Sequence, residues 1–168
     1  MKFPYIKDIS HTEKMRVKSY PIIYKSMEPR IITAPMTARW IEEIPEIGKH
    51  LPENCLLDKG ITGCGATRLA ITNDRSTLIA APTVNLIKTK MQAHPALLGV
   101  YGGVTNQVFA DYLKTHDCWK IMATYDAIPR VADVAGAEIY SKAFLLVDEY
   151  HRLQYDYSFR NHAITGLL

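Results

Sequence analysis

Short apolar runs and longer amphipathic segments alternate along most of the chain. Cys55–Leu57, Thr77–Ala81, Leu97–Tyr101, Trp119–Ala123 and Phe144–Val147 are brief, apolar and rich in residues that favour strands. Between them, Ala66–Thr72, Val84–Gln92, Asn106–Thr115 and Ala127–Val134 have helical composition and length. The order β-α-β-α-β-α-β-α-β predicts a parallel sheet, because parallel neighbours need crossover connections. Right-handed crossovers put helices on both faces, so inner strands should be apolar throughout. Leu78-Ile79-Ala80-Ala81 and Phe144-Leu145-Leu146-Val147 read that way. Ligands in such sheets bind outside the carboxyl ends of the strands.

The first fifty residues differ. Runs around Tyr20–Tyr24 and Arg30–Thr33, separated by Ser26-Met27-Glu28-Pro29, predict a small hairpin or extended arm. Trp40, Ile41, Ile44 and Ile47 then recur at helical spacing, with Pro45 interrupting. The expected organisation is an N-terminal extension over 1–50 packed on a single α/β lobe over 51–168.

Length and composition narrow the class. At 168 residues, with 48% apolar and 22% charged positions, the chain is sized for one domain with a buried core, and wholesale disorder is excluded. No apolar stretch approaches the ~18 residues of a membrane span, and charge and proline fall within the first eight positions, where a signal peptide would need an apolar core. Cys55, Cys64 and Cys118 contain no C-x-x-C pair, which suggests neither a disulfide framework nor a zinc site. A cytoplasmic location is expected. The net charge of +3 permits a polyanionic partner without requiring one.

Two segments carry candidate chemistry. Gly60-Ile61-Thr62-Gly63-Cys64-Gly65-Ala66-Thr67 lies between a predicted strand and a predicted helix, and it matches the phosphate-loop pattern G-x-x-x-x-G-K-[ST] except that Ala66 stands at the lysine position. Glycines allow backbone N–H groups to turn inward around phosphates, and the helix N-terminus adds donors and a favourable dipole. Loss of one charged hydrogen bond of roughly 1.5–3 kcal/mol lowers nucleotide affinity about 10- to 100-fold. Lys59 and Arg68 are the nearest cations. The alternative for this loop is a ligand-free strand-to-helix turn.

Second, the apolar strand Phe144–Val147 ends in Asp148-Glu149-Tyr150-His151. At a strand's carboxyl end an aspartate can hold Mg²⁺ through its water shell, and a following glutamate can orient and deprotonate water. The alternative is that both acids cap the next helix.

In these segments the chain resembles the first RecA-like lobe of superfamily-two, DExH-box helicases and translocases, over about Leu56 to Leu153. Gly60–Thr67 resembles the helicase phosphate loop and Asp148-Glu149-Tyr150-His151 the D-E-x-H box. Ala80-Ala81-Pro82-Thr83-Val84-Asn85-Leu86, Gly102-Gly103 and Ala123-Thr124-Tyr125-Asp126-Ala127-Ile128 resemble the family's nucleic-acid-contacting segments. The resemblance implies a RecA-like P-loop NTPase sandwich with a mostly parallel sheet, binding ATP and Mg²⁺. Phosphates would meet Gly60, Thr62, Gly63, Cys64, Gly65, Ala66, Thr67 and Arg68. Thr67 and Asp148 would serve the metal, with Asp148 and Glu149 catalytic, Glu149 on the water, and His151 coupling nucleotide to nucleic acid. Pro82, Thr83, Gly102, Gly103 and Thr124 would touch a DNA or RNA backbone, although Pro82-Thr83 also reads as a helix N-cap and Gly102-Gly103 as a plain turn.

Only 17 residues follow His151, so the family's Ser-Ala-Thr segment and second RecA-like lobe are missing from this sequence. That lobe is expected in a longer chain or a partner, and hydrolysis is expected to require it. The other expectation is a degenerate P-loop fold, without turnover, that serves as a nucleic-acid-binding or assembly module. The aromatic stretch Gln154–Arg160 suits base stacking or the amphipathic face of a terminal helix.

Overall fold

Thr77-Leu78-Ile79-Ala80-Ala81 is buried at all five positions, as a strand covered on both faces must be, and forms β1 (Thr77–Ala81). The other strands are β2 (Leu98–Val100), β3 (Lys120–Thr124) and β4 (Phe144–Val147). They form one sheet in the order β2-β3-β1-β4, with every pairing parallel. The computed structural model describes residues 31–59, 62–136 and 139–152. All the elements named here fall within the compact unit Thr33–Leu168.

The helices are α1 (Ala66–Thr72), α2 (Val84–Ala93), α3 (Asn106–Thr115), α4 (Ile128–Ala135) and α5 (Ile139–Lys142). Thr83 and Thr105 fix two of the starts, each hydroxyl accepting a first-turn N–H, from Leu86 and Val108 respectively, at 3.3 Å. Strand side chains alternate between two cores. Leu78, Ala80, Ile121 and Ala123 pack with Phe109 of α3, Ile128 and Val131 of α4, and Ile139 of α5. Ile79, Ala81 and Met122 pack with Leu69, Ala70 and Ile71 of α1 and Ile87 of α2. The result is a three-layer α/β sandwich on an all-parallel four-stranded sheet. Among the described residues no helix is long and apolar enough to cross a membrane.

Three expectations need correction, the first being that Phe144–Val147 is an inner strand: β4 stands at the edge of the described sheet and its four residues are half-buried. Cys55–Leu57 forms no strand: Leu56 is 74% exposed, and this short run between Pro52 and Asp58 has no sheet partner among the described residues. The glycine loop is therefore entered from irregular chain, and the sheet has four described strands rather than five. The expected helix over Trp40–Ile47 is a 3-10 turn, Ile41–Glu43, followed by further turns, because Pro45 has no N–H to extend a helical ladder. Ile41 and Leu51 nevertheless enter the α1/α2 core. Helix α5 has no counterpart in the sequence reading. The predicted hairpin up to residue 30 and the stretch Gln154–Arg160 lie outside the described residues.

Candidate functional site

The ladder of β4 runs one residue past the strand: Asp148 donates its N–H to the Ala80 carbonyl at 2.9 Å. This fixes Asp148 at the carboxyl edge of the sheet, where the residue is 9% exposed. Thr67, in the first turn of α1, donates its hydroxyl to Asp148 Oδ2 at 2.8 Å, and the other carboxylate oxygen accepts the Glu149 N–H at 3.1 Å. Two segments 81 positions apart thus meet at one hydrogen bond. Among the described residues no Lys or Arg pairs with this buried carboxylate.

The loop before Thr67 is shaped by two left-handed glycines. Gly65 caps α1 at φ 87°, and a Cβ there would lie 2.9 Å from Cε3 of Trp40. Gly63, at φ 76°, is exposed, and a Cβ there would meet nothing within 4 Å. Thr62 is exposed, whereas Cys64 is buried and its carbonyl accepts the Ile41 N–H at 2.8 Å. Gly60 and Ile61 lie outside the described residues.

Glu149 adopts φ 53°, a left-handed conformation uncommon for a residue with a side chain. Its carboxylate is exposed and lies 3.4 Å from Arg152 Nε. Tyr125, buried at the end of β3, donates its hydroxyl to the Asp148 carbonyl at 2.5 Å and sits 3.3 Å from the Glu149 carbonyl. His151 is exposed.

Arg68 pairs with Glu42 at 2.5 Å and covers the Trp40 ring at 4.7 Å. Lys59 is exposed, and Ala66 is only 6% exposed. Sequence reasoning missed the Trp40–Glu42 clamp on Arg68, since no local pattern links those positions.

The remaining site residues follow the strand order along the same edge: Gly102 and Gly103 after β2, Thr124 at the end of β3, Pro82 and Thr83 after β1, then Asp148 after β4. Pro82 is buried and Thr83 exposed. The Thr83 hydroxyl accepts from Leu86 as the cap of α2 and keeps its own proton to donate. Gly102 and Gly103 are exposed in a turn closed by Val104 N–H to Tyr101 O at 3.1 Å. Two further cations flank that turn and carry no motif that would single them out in the sequence: Lys88 Nζ lies 5.9 Å from the Tyr101 ring centroid, and Arg130 donates to the Tyr101 carbonyl at 3.3 Å.

Among the described residues no three His, Cys, Asp or Glu side chains converge. Mg²⁺ does not need such a cage, because it is commonly held by one or two protein oxygens together with waters and substrate phosphates. A hydroxyl and a buried carboxylate with no cation partner among the described residues, beside the Gly63–Thr67 bend, fit that coordination. No protein-family model, curated protein or solved structure matches the chain.

Proposed function

We propose that this chain is a RecA-like P-loop lobe that binds ATP with Mg²⁺ in a helicase-like, nucleic-acid-dependent NTPase. Hydrolysis then requires a second RecA-like lobe, from a longer chain or a partner. The observation that carries the reading is the 2.8 Å contact between Thr67 and Asp148, which joins the glycine loop to the acidic strand end. In this reading the Gly63–Thr67 backbone receives phosphate oxygens, Thr67 and Asp148 hold the metal, and Glu149 orients water. The metal, when bound, neutralises phosphate charge. Thr83, Gly102, Gly103 and Thr124 offer hydroxyls and backbone N–H groups to a nucleic-acid backbone, a mode of contact that reads no bases. Pro82 is buried and has no N–H to offer.

A second reading has its own observation. Arg68 is engaged by Glu42 and Trp40, so it does not replace the lysine absent at position 66. This favours a P-loop fold without turnover that acts as a nucleic-acid-binding or assembly module. Calorimetric titration with ATP, with and without Mg²⁺, tests the first reading: metal-dependent binding is expected, and its absence at millimolar nucleotide overturns it. ATPase assays with and without single-stranded DNA or RNA test the second reading. Activity that vanishes in Glu149→Gln excludes the module reading.

A further inference from the structure

Tyr125 is a buried polar group for which that function assigns no role. It lies in the apolar core between the sheet and α3, α4 and α5, where phenylalanine would pack equally well. A buried phenol is costly unless its hydroxyl is bonded. Here the bond goes to the Asp148 carbonyl at 2.5 Å, with the Glu149 carbonyl at 3.3 Å. It also spans the sheet edge, since β1 lies between β3, which leads into Tyr125, and β4, which leads into the acidic pair.

The backbone held there is unusual. Glu149 sits at φ 53°, and such conformations persist when surrounding contacts over-determine them. The amide of Asp148 is tied to Ala80, its carboxylate to Thr67, and its carbonyl to Tyr125. We propose that Tyr125 is a positioning residue: its hydroxyl holds the Asp148–Glu149 backbone so that the Asp148 carboxylate meets Thr67, and it links the Thr124 segment to the acidic pair. The inference rests on the nucleotide-site reading, and it assigns to that site an internal connection to the edge proposed to contact nucleic acid.

The test compares the full chain with Tyr125→Phe and Asp148→Asn, using ATP as probe and Mn²⁺ as the paramagnetic substitute for Mg²⁺. ATP binding is measured over a Mn²⁺ series, with protein-bound manganese followed by electron paramagnetic resonance, and ATP affinity in EDTA is measured separately. Tyr125→Phe is expected to raise the half-saturating metal concentration about three- to tenfold, the equivalent of one neutral hydrogen bond. Affinity in EDTA should stay within about twofold on the same scale. A role confined to packing would lower the urea midpoint and leave the metal titration unmoved. A shift below about twofold in Tyr125→Phe, with metal dependence abolished in Asp148→Asn, overturns the inference and leaves the nucleotide site standing. No metal-dependent ATP binding in the unmodified chain overturns both. Should Tyr125→Phe fail to fold, the unmodified chain labelled with ¹³C at tyrosine Cζ decides: the Tyr125 resonance must shift when metal is added to the ATP complex, and a stationary resonance rejects the link.

Discussion

Replacing Thr67 with valine removes one hydroxyl and keeps the side-chain shape. The lost bond is a donor to a carboxylate oxygen at 2.8 Å. Bonds to charged groups contribute roughly 1.5–3 kcal/mol, and Asp148, at 9% exposed, has little water to take over. For a chain of this size about 2–4 °C accompanies each kcal/mol, so the melting temperature should fall by roughly 3–12 °C. Thr67→Ser restores the donor and should recover most of the loss.

Urea unfolding of Thr67→Val, Asp148→Asn and the double variant measures the contact itself. Residues that share a bond are expected to couple by about 0.5–3 kcal/mol, whereas independent sites add to within roughly 0.3–0.5 kcal/mol. If the two single losses simply sum, the meeting of the glycine loop with the acidic strand end carries no energy, and the main support for the proposed function is lost.

Gly99 lies on β2 against α2, where a Cβ would stand 2.7 Å from Cγ2 of Ile87, so Gly99→Ala should lower urea stability by about 1–3 kcal/mol. Glu149→Gly relieves a left-handed backbone that costs roughly 1–2 kcal/mol while adding unfolded-chain freedom of about 0.5–1 kcal/mol. Its unfolding midpoint should therefore match or exceed that of the unmodified chain, and a marked fall in the midpoint would contradict this account. Burial, with Lys90 and Arg68 nearby, holds the His94 imidazole below its ordinary value. As pH falls through the ordinary histidine range the unfolded chain takes up that proton first, so stability drops, and His94→Gln should flatten this part of the urea-midpoint profile between about pH 7 and 5.

Much of the sheet is legible in the sequence because burial on both faces leaves a mark in composition. Leu78–Ala81 has no polar residue, and such a run fits an inner parallel strand. Helix starts are legible where threonine caps them, at Thr83 and Thr105. Cys55–Leu57 misleads because a strand is defined by a partner, and three apolar residues do not specify one. Thr67 and Asp148 are legible as a pair only through motif order, since their contact spans 81 positions. The Trp40 clamp and the Tyr125 bond leave no local trace. Tryptophan and tyrosine at apolar spacing read as core, and their polar contacts are set by tertiary structure.

Charge at this edge leads to a last expectation. Asp148 and Glu149 are both acidic, Arg68 is engaged by Glu42, and Arg152 sits against Glu149 itself. A triphosphate held at Gly63–Thr67 therefore approaches an acidic pair, and two like charges ~4 Å apart repel by about 4 kcal/mol at the effective dielectric of a protein surface. Binding without a divalent cation should accordingly be weak. Ala66→Lys supplies the missing cation from a buried Cβ, with a stem long enough to carry the ammonium out toward solvent. If phosphates occupy the bend, the variant should bind ATP in EDTA about 10- to 100-fold more tightly, and its dependence on Mg²⁺ should shrink by a similar factor. A folded Ala66→Lys chain with unchanged metal-free affinity would mean that the ammonium meets no phosphate, and the bend at Gly63–Thr67 would then be only a turn into α1.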